Sequence, residues 1–143
     1  MICDHAYFAI TLTMNDNSIY INIYQGDQPE LTQYRVMYWK EIPVQIQVED
    51  SKRSASHQLD PRFQQGIDAI AMFDGSAGTD EYLMGWEWSP FKDASGSVES
   101  VSSAIVEYYN RTFPLDFVSR IRDIHLTGER DSRPGSIDHW CIS

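Results

Sequence analysis

Chemistry in this chain would have to come from four histidines, two cysteines, a glycine-flanked serine or a few adjacent carboxylates. Cys3, Asp4 and His5 near one end, with Asp138, His139 and Cys141 near the other, hold the donor types of a zinc site. They would form one only if the two ends met, and a cysteine two residues from a histidine is not a usual structural-zinc spacing. The pattern favours two solvated ends with free, reduced thiols, so no metal and no cofactor is expected. Ser76 lies in Gly75-Ser76-Ala77-Gly78, but a nucleophile elbow needs glycines two residues before and two after its serine. The same stretch is too short for a phosphate loop and lacks its lysine. The pairs Asp80-Glu81 and Glu49-Asp50 read as solvated charges, because nothing around them in the sequence would raise a carboxyl pKa. No catalytic residue is assigned, and the chain is expected not to be an enzyme.

Aromatic residues are the more telling set: Tyr38, Trp39, Tyr82, Trp86, Trp88, Phe91, Tyr108, Tyr109 and Phe113. Core packing accounts for most of them. Alternate side chains of a strand point to opposite faces, however, so Tyr38 and Trp39 are expected on different sides. Trp and Tyr at a surface bury large area with few rotors to freeze, which suits a binding patch. Tyr38, Trp39, Tyr82, Trp86 and Trp88 are therefore the candidate binding residues of an aromatic face.

The elements that would position them can be read along the chain. Residues 6 to 24 alternate polar and apolar around Asn15-Asp16-Asn17, predicting a hairpin of Tyr7–Met14 and Ser18–Tyr24. Gly26 and Pro29 interrupt the pattern. A second hairpin is predicted from residues 34–39 and 44–48, turning at Lys40-Glu41-Ile42-Pro43, with Val44, Ile46 and Val48 facing the core. Asp50 to Gln58 reads as a solvated loop. Asp60-Pro61 opens a helix to about residue 73, with Phe63, Ile67, Ile70 and Ala71 on one face and Gly75 ending it. Residues 82–88 alternate as a strand, and 93–96 read as a loop. Ser97 caps a helix to about Arg111. Pro114 opens another, with Leu115, Val118 and Ile121 on one face and Phe117 and Ile124 beside it. From Leu126 on, Gly, Ser, Arg, Asp and Pro predict a poorly ordered polar tail.

At 143 residues, with 42% apolar and 22% charged residues, the chain fits one globular domain. Its formal charge of -10 argues against nucleic acid, whose phosphates are bound by Lys and Arg. No apolar stretch approaches the roughly 20 residues needed to span a bilayer, so no membrane partner is expected. Residues 1–31 contain no Lys or Arg and so lack the basic start of a secretory signal; a cytoplasmic location is expected.

The tract Tyr34-Arg35-Val36-Met37-Tyr38-Trp39-Lys40-Glu41-Ile42-Pro43, the helix Phe63 to Met72, and Gly78-Thr79-Asp80-Glu81-Tyr82-Leu83 leading to Trp86 follow one another in an order that resembles the small bacterial virulence factor domain family. The same domain is also found within conserved virulence factor C-type proteins. The resemblance spans about Gln33 to Asp123; the first 31 residues and the segment after Asp123 lie outside it. It implies an interaction or accessory role and carries no catalytic residue over.

The fold expected is α+β and two-layered: an antiparallel sheet of three or more strands with about three helices on one face. The domain would occupy residues 32–124, between an N-terminal extension of residues 1–31 and a polar tail of 125–143. The function expected is that of a small acidic protein-interaction or accessory module with a protein partner. The alternative is a small-molecule or metal-binding accessory subunit of a metabolic enzyme.

Overall fold

The computed structural model describes residues 31–142. The predicted hairpin Tyr7–Met14 and Ser18–Tyr24, together with Cys3 and His5, lies outside the described residues. β1 (Thr32–Trp39) and β2 (Ile42–Glu49) form an antiparallel pair joined by Lys40 and Glu41 alone. This turn is tighter than the one predicted, and Lys40 takes a positive φ of 51° to make it. Pro43 therefore falls inside β2, where it cannot donate to the ladder. The pairing answers with a bulge: Met37 faces Gln45 while Tyr38 faces Pro43, leaving Val44 as the extra residue.

The α+β expectation holds: among the described residues there are an antiparallel sheet of five strands and four α-helices. Strand order is β3 (Ser54–Gln58), β2, β1, β4 (Trp86–Trp88), and β5 (Lys92–Ala94) pairs with the first half of β1. α1 (Pro61–Asp74) and α3 (Val98–Thr112) pack over β2. Local signals set both. Asp60 caps α1 by accepting from the Arg62 amide at 3.2 Å, Pro61 occupies its first position, and Gly75 ends it at φ 85°. Ser97 accepts from the Ser100 amide at 3.0 Å to start α3.

Val36, Ile46 and Val48 meet Phe63, Ile67 and Ile70 of α1 and Val98 and Val101 of α3 in one buried cluster. Phe63, Phe113 and Phe117 close it, with ring centroids 5.2–5.6 Å apart. α4 (Phe117–Leu126) reaches α1 only because Gly66 has no side chain; a Cβ there would overlap the Phe117 ring.

Five expectations are corrected. Residues 54–58 are not a loop but β3 (Ser54–Gln58), an edge strand whose polarity reflects exposure while its backbone pairs with β2. Asp93 and Ala94, expected in a loop of residues 93–96, likewise belong to a strand, β5. The segment 82–88 divides at Gly85 into α2 (Asp80–Met84) and β4 (Trp86–Trp88). Asp80 and Glu81 suit the first turn of a helix, and Gly85 lets the backbone press on Trp39, where a Cβ would lie 2.7 Å from its Nε1. α4 starts at Phe117, not Pro114, so Leu115 is exposed and Phe117 and Ile121 are the residues turned inward. The intervening chain is held by Arg62, whose guanidinium donates to the carbonyls of Asn110, Phe113 and Pro114.

The largest departure is the predicted polar tail. Residues 127–142 pack back onto the domain, with Ile137 buried and the Ile142 amide bonded to the Thr112 carbonyl at 3.1 Å. A short 3-10 turn, Asp138–Trp140, sits within it. Its polar residues find partners in the sheet and helices, which a hydrophobic pattern cannot reveal.

Candidate functional site

Strand pairing decides where the aromatic candidates go. Trp88 lies opposite Met37 and Trp86 opposite Trp39, so all four share the sheet face turned away from the Val36 and Ile46 core side. Tyr82 joins them from α2: its ring is 5.6 Å from Trp39 and 5.9 Å from Trp86. Its carbonyl also accepts from Trp39 Nε1 at 2.9 Å. Four of the five candidates are thus brought together, and Tyr38 is not.

Two expectations about this set need correcting. Tyr38 and Trp39 do point to opposite faces, yet both are buried, at 5% and 0% exposure. The helices cover one of those faces and α2 with Gly85 covers the other at this point, so neither residue is available to a partner. Tyr82, Trp86 and Trp88 remain half-buried.

Arg35 completes the accessible part of the face. Its place follows from period two along β1, two residues before Met37, although its residue type does not mark it as part of an aromatic set. Its guanidinium lies 4.2 Å from the Trp88 ring centroid and 4.6 Å from that of Phe91. Its Nε donates to Gln47 Oε1 at 2.7 Å, which fixes the fork against β2. An Arg between two rings, beside Met37, Gln45 and Gln47, makes a flat patch able to stack and to donate hydrogen bonds.

A second cluster surrounds the β1-β2 turn. Arg130 forks onto Glu41 at 2.6 and 2.8 Å and reaches Asp74 at 3.0 Å. Lys40 bridges Asp74 at 2.9 Å and Glu81 at 2.6 Å. Burial alone would raise the Asp74 carboxyl, but hydrogen bonds from Ser76, Lys40 and Arg130 outweigh it and hold the group below the ordinary carboxylate range. Burial likewise opposes the Arg130 charge, and the Glu41 and Asp74 carboxylates more than restore it. Ser76 is buried, its hydroxyl donating to Asp74 at 2.7 Å. A cleft of about 310 Å³ beside the cluster is lined by Lys40, Asp74, Glu81, His125 and Arg130. Chemically this is a network of two cations and three carboxylates that fastens the C-terminal segment to the hairpin.

A third cluster fastens the same segment elsewhere. Tyr38 and Tyr109 both donate to Asp138 Oδ2, at 2.6 and 2.9 Å, while Asp138 Oδ1 is buried without a partner among the described residues. Burial raises the Asp138 carboxyl against the two hydroxyl bonds, and burial with the nearby carboxylate raises both phenols. Among the described residues no group of three His, Cys, Asp or Glu is arranged to hold a metal, and His139 and Cys141 form no part of one. Cys3 and His5, the other half of that constellation, lie outside the described residues.

A concavity of about 910 Å³ runs between β3 and α3. Ala55, Val98, Ser102 and Val106 line its apolar part, and Arg53 and His57 stand at its rim. The sequence gives no hint of it, because the polar residues of β3 carry no strand pattern. Among the described residues no helix is long and apolar enough to cross a membrane.

Neither the curated proteins nor the solved structures yield a significant match to this chain. The model of the family described as virulence factor matches residues 37–121, a span that takes in the end of β1 from Met37, then β2, α1, the Gly85 junction, the rings of Trp86, Trp88 and Phe91, and α3, but not Arg35; on that match the chain belongs to the virulence factor family.

Proposed function

We propose that the domain is a non-enzymatic protein-interaction module that binds a protein partner through the sheet face carrying Arg35, Met37, Trp86, Trp88 and Phe91. The observation that carries this reading is the Arg35 guanidinium held between the Trp88 and Phe91 rings at a half-exposed position. Arg, Trp and Tyr are the residue types in which interface energy concentrates. Here an Arg is already oriented by Gln47, so little rotamer entropy remains to be lost on docking. The state of the reactive side chains supports the same reading: Ser76 is buried on Asp74, and Arg130 and Lys40 are matched by carboxylates.

The test is recovery of crosslinked partners from cells holding the chain at native abundance, compared between wild type, Trp88→Ala and Arg35→Ala. Both substitutions are at half-buried sites, and thermal melts establish that the variants stay folded. A drop of tenfold or more in the same partner supports the reading, whereas equal recovery from both variants refutes it. Trp39 is unsuited to this test, because its burial makes an alanine there a stability change.

A further inference from the structure

We infer that the Arg35 face takes an extended, acidic segment of its protein partner: one Asp or Glu carboxylate sits on the Arg35 guanidinium, and an apolar side chain two residues further on lies over Met37 and Trp86. This rests on the reading of that face as a docking surface and adds the chemistry of what docks there. The Arg35 Nε donates to Gln47 Oε1 at 2.7 Å, so the bidentate edge that remains is the one formed by the two terminal nitrogens. That edge matches the two oxygens of a carboxylate. The Trp88 and Phe91 rings lie over the guanidinium, 4.2 and 4.6 Å away. They take the place of water on its faces, so an ion pair at its edge acts through a lower dielectric than at an open surface. Other cations are already engaged: Arg53, Arg120 and Arg130 each hold a carboxylate at 3.0 Å or less. Arg35 holds none among the described residues; its partners there are an amide oxygen and two rings.

The surroundings limit the ligand to a single negative charge and set the direction of its apolar neighbour. Gln33 lies two residues before Arg35 on the same face, with Glu49 opposite it on β2 and Asp93 opposite it on β5. A carboxylate brings one charge past these two acids, whereas a phosphoryl group brings about two and is repelled more strongly. In the other direction the face is uncharged: Met37 follows Arg35, flanked by Gln45 on β2 and Trp88 on β4, and Trp86 lies one row beyond. Same-face residues of a strand are about 7 Å apart, which is also the spacing of every second side chain in an extended peptide. A carboxylate over Arg35 therefore sets the side chain two residues along over Met37 and toward Trp86.

The experiment uses the full chain and an array of hexapeptides with Glu at the third position and Leu at the fifth, the rest varied. Parallel sets carry Gln, Lys or phosphoserine in place of the Glu, and the best binders are remade with fluorescein for anisotropy titration. The expected result is that the Glu set binds at least tenfold tighter than the other three. Arg35→Gln should erase that preference, and Arg35→Glu, shown by a thermal melt to stay folded, should transfer it to the Lys set. Tighter binding of the phosphoserine set overturns the inference, as does a Glu preference that survives in Arg35→Gln, or no binding by any set. Equal binding of the Glu and Gln sets that is still lost in Trp88→Ala overturns the carboxylate but leaves the docking face standing. The face itself falls only if the crosslinked partner is recovered equally from wild type, Trp88→Ala and Arg35→Ala.

Discussion

Replacing Arg130 by Ala removes the two donors that reach Glu41, whose side chain is 0% exposed. Asp74 keeps Lys40 and Ser76 after the change, so the loss concentrates on Glu41. A buried carboxylate deprived of its partner costs about 3–5 kcal/mol, a large share of the roughly 5–15 kcal/mol that holds a domain of this size. At about 4 °C per kcal/mol the melting temperature should fall by about 12–20 °C. Urea unfolding at neutral pH gives the free energy directly, and two further variants test the mechanism. Arg130→Lys keeps the charge but not the planar fork, and should lose about 1–2 kcal/mol. Glu41→Leu with Arg130→Met removes both charges, and should return to within about 1–2 kcal/mol of wild type. If Arg130→Ala unfolds within 1 kcal/mol of wild type, or the double variant is no better than the single, the account of a stranded carboxylate fails.

Two carboxyls in the separate clusters, Asp74 and Asp138, are shifted in opposite senses. Asp74 is held low in the folded state, so its contribution is complete above about pH 4 and is lost as pH falls toward its folded value; Asp74→Asn should flatten the acid limb of a stability-pH curve. Asp138 is raised by burial, so the folded state holds its proton longer than the unfolded chain. Stability should therefore decline as pH rises from about 4 through the raised value, and Asp138→Asn should remove that decline while keeping an acceptor for Tyr38 and Tyr109. Asp138→Leu, which leaves both hydroxyls without their acceptor, should cost about 1–3 kcal/mol in denaturant unfolding. Gly66→Ala forces a methyl into the Phe117 ring and should destabilise by about 1–3 kcal/mol; a neutral result in a thermal melt would mean that α4 can move away from α1 freely.

What the sequence made legible was local. Val44, Ile46 and Val48 announced β2 by alternation, and Asp60-Pro61, Gly75 and Ser97 set the ends of α1 and α3 through caps that each need only a few neighbouring residues. β3 was hidden because Ser54–Gln58 has Ala55 as its one apolar residue and is a strand only through its bonds to β2. In residues 82–88 an alternation of aromatics outweighed the helix-starting carboxylates and the break at Gly85. The aromatic face was half legible: Trp86 and Trp88 share a side as period two requires, but the premise that only one face of β1 would be covered failed at Trp39, where α2 closes the second face. Arg35 follows from the same period once its role is sought as a stacked cation rather than as an aromatic.

The C-terminal segment is the case where polarity misled most. Its residues carry no apolar period, yet Arg130 and Asp138 each satisfy groups on the central strand and hairpin from 89 and 100 residues away. The family match stops at residue 121, before either of them. Within the matched span alone, the Glu41 carboxylate would be enclosed without a cation and the Tyr38 and Tyr109 hydroxyls without their carboxylate. Burying those polar groups is tolerable only because a later stretch of chain brings the matching charge. The segment is therefore part of the physical unit in this protein: the hydrophobic pattern places the sheet and helices, and a polar strap supplies the partners that let Glu41 and the two tyrosines lie where the core requires.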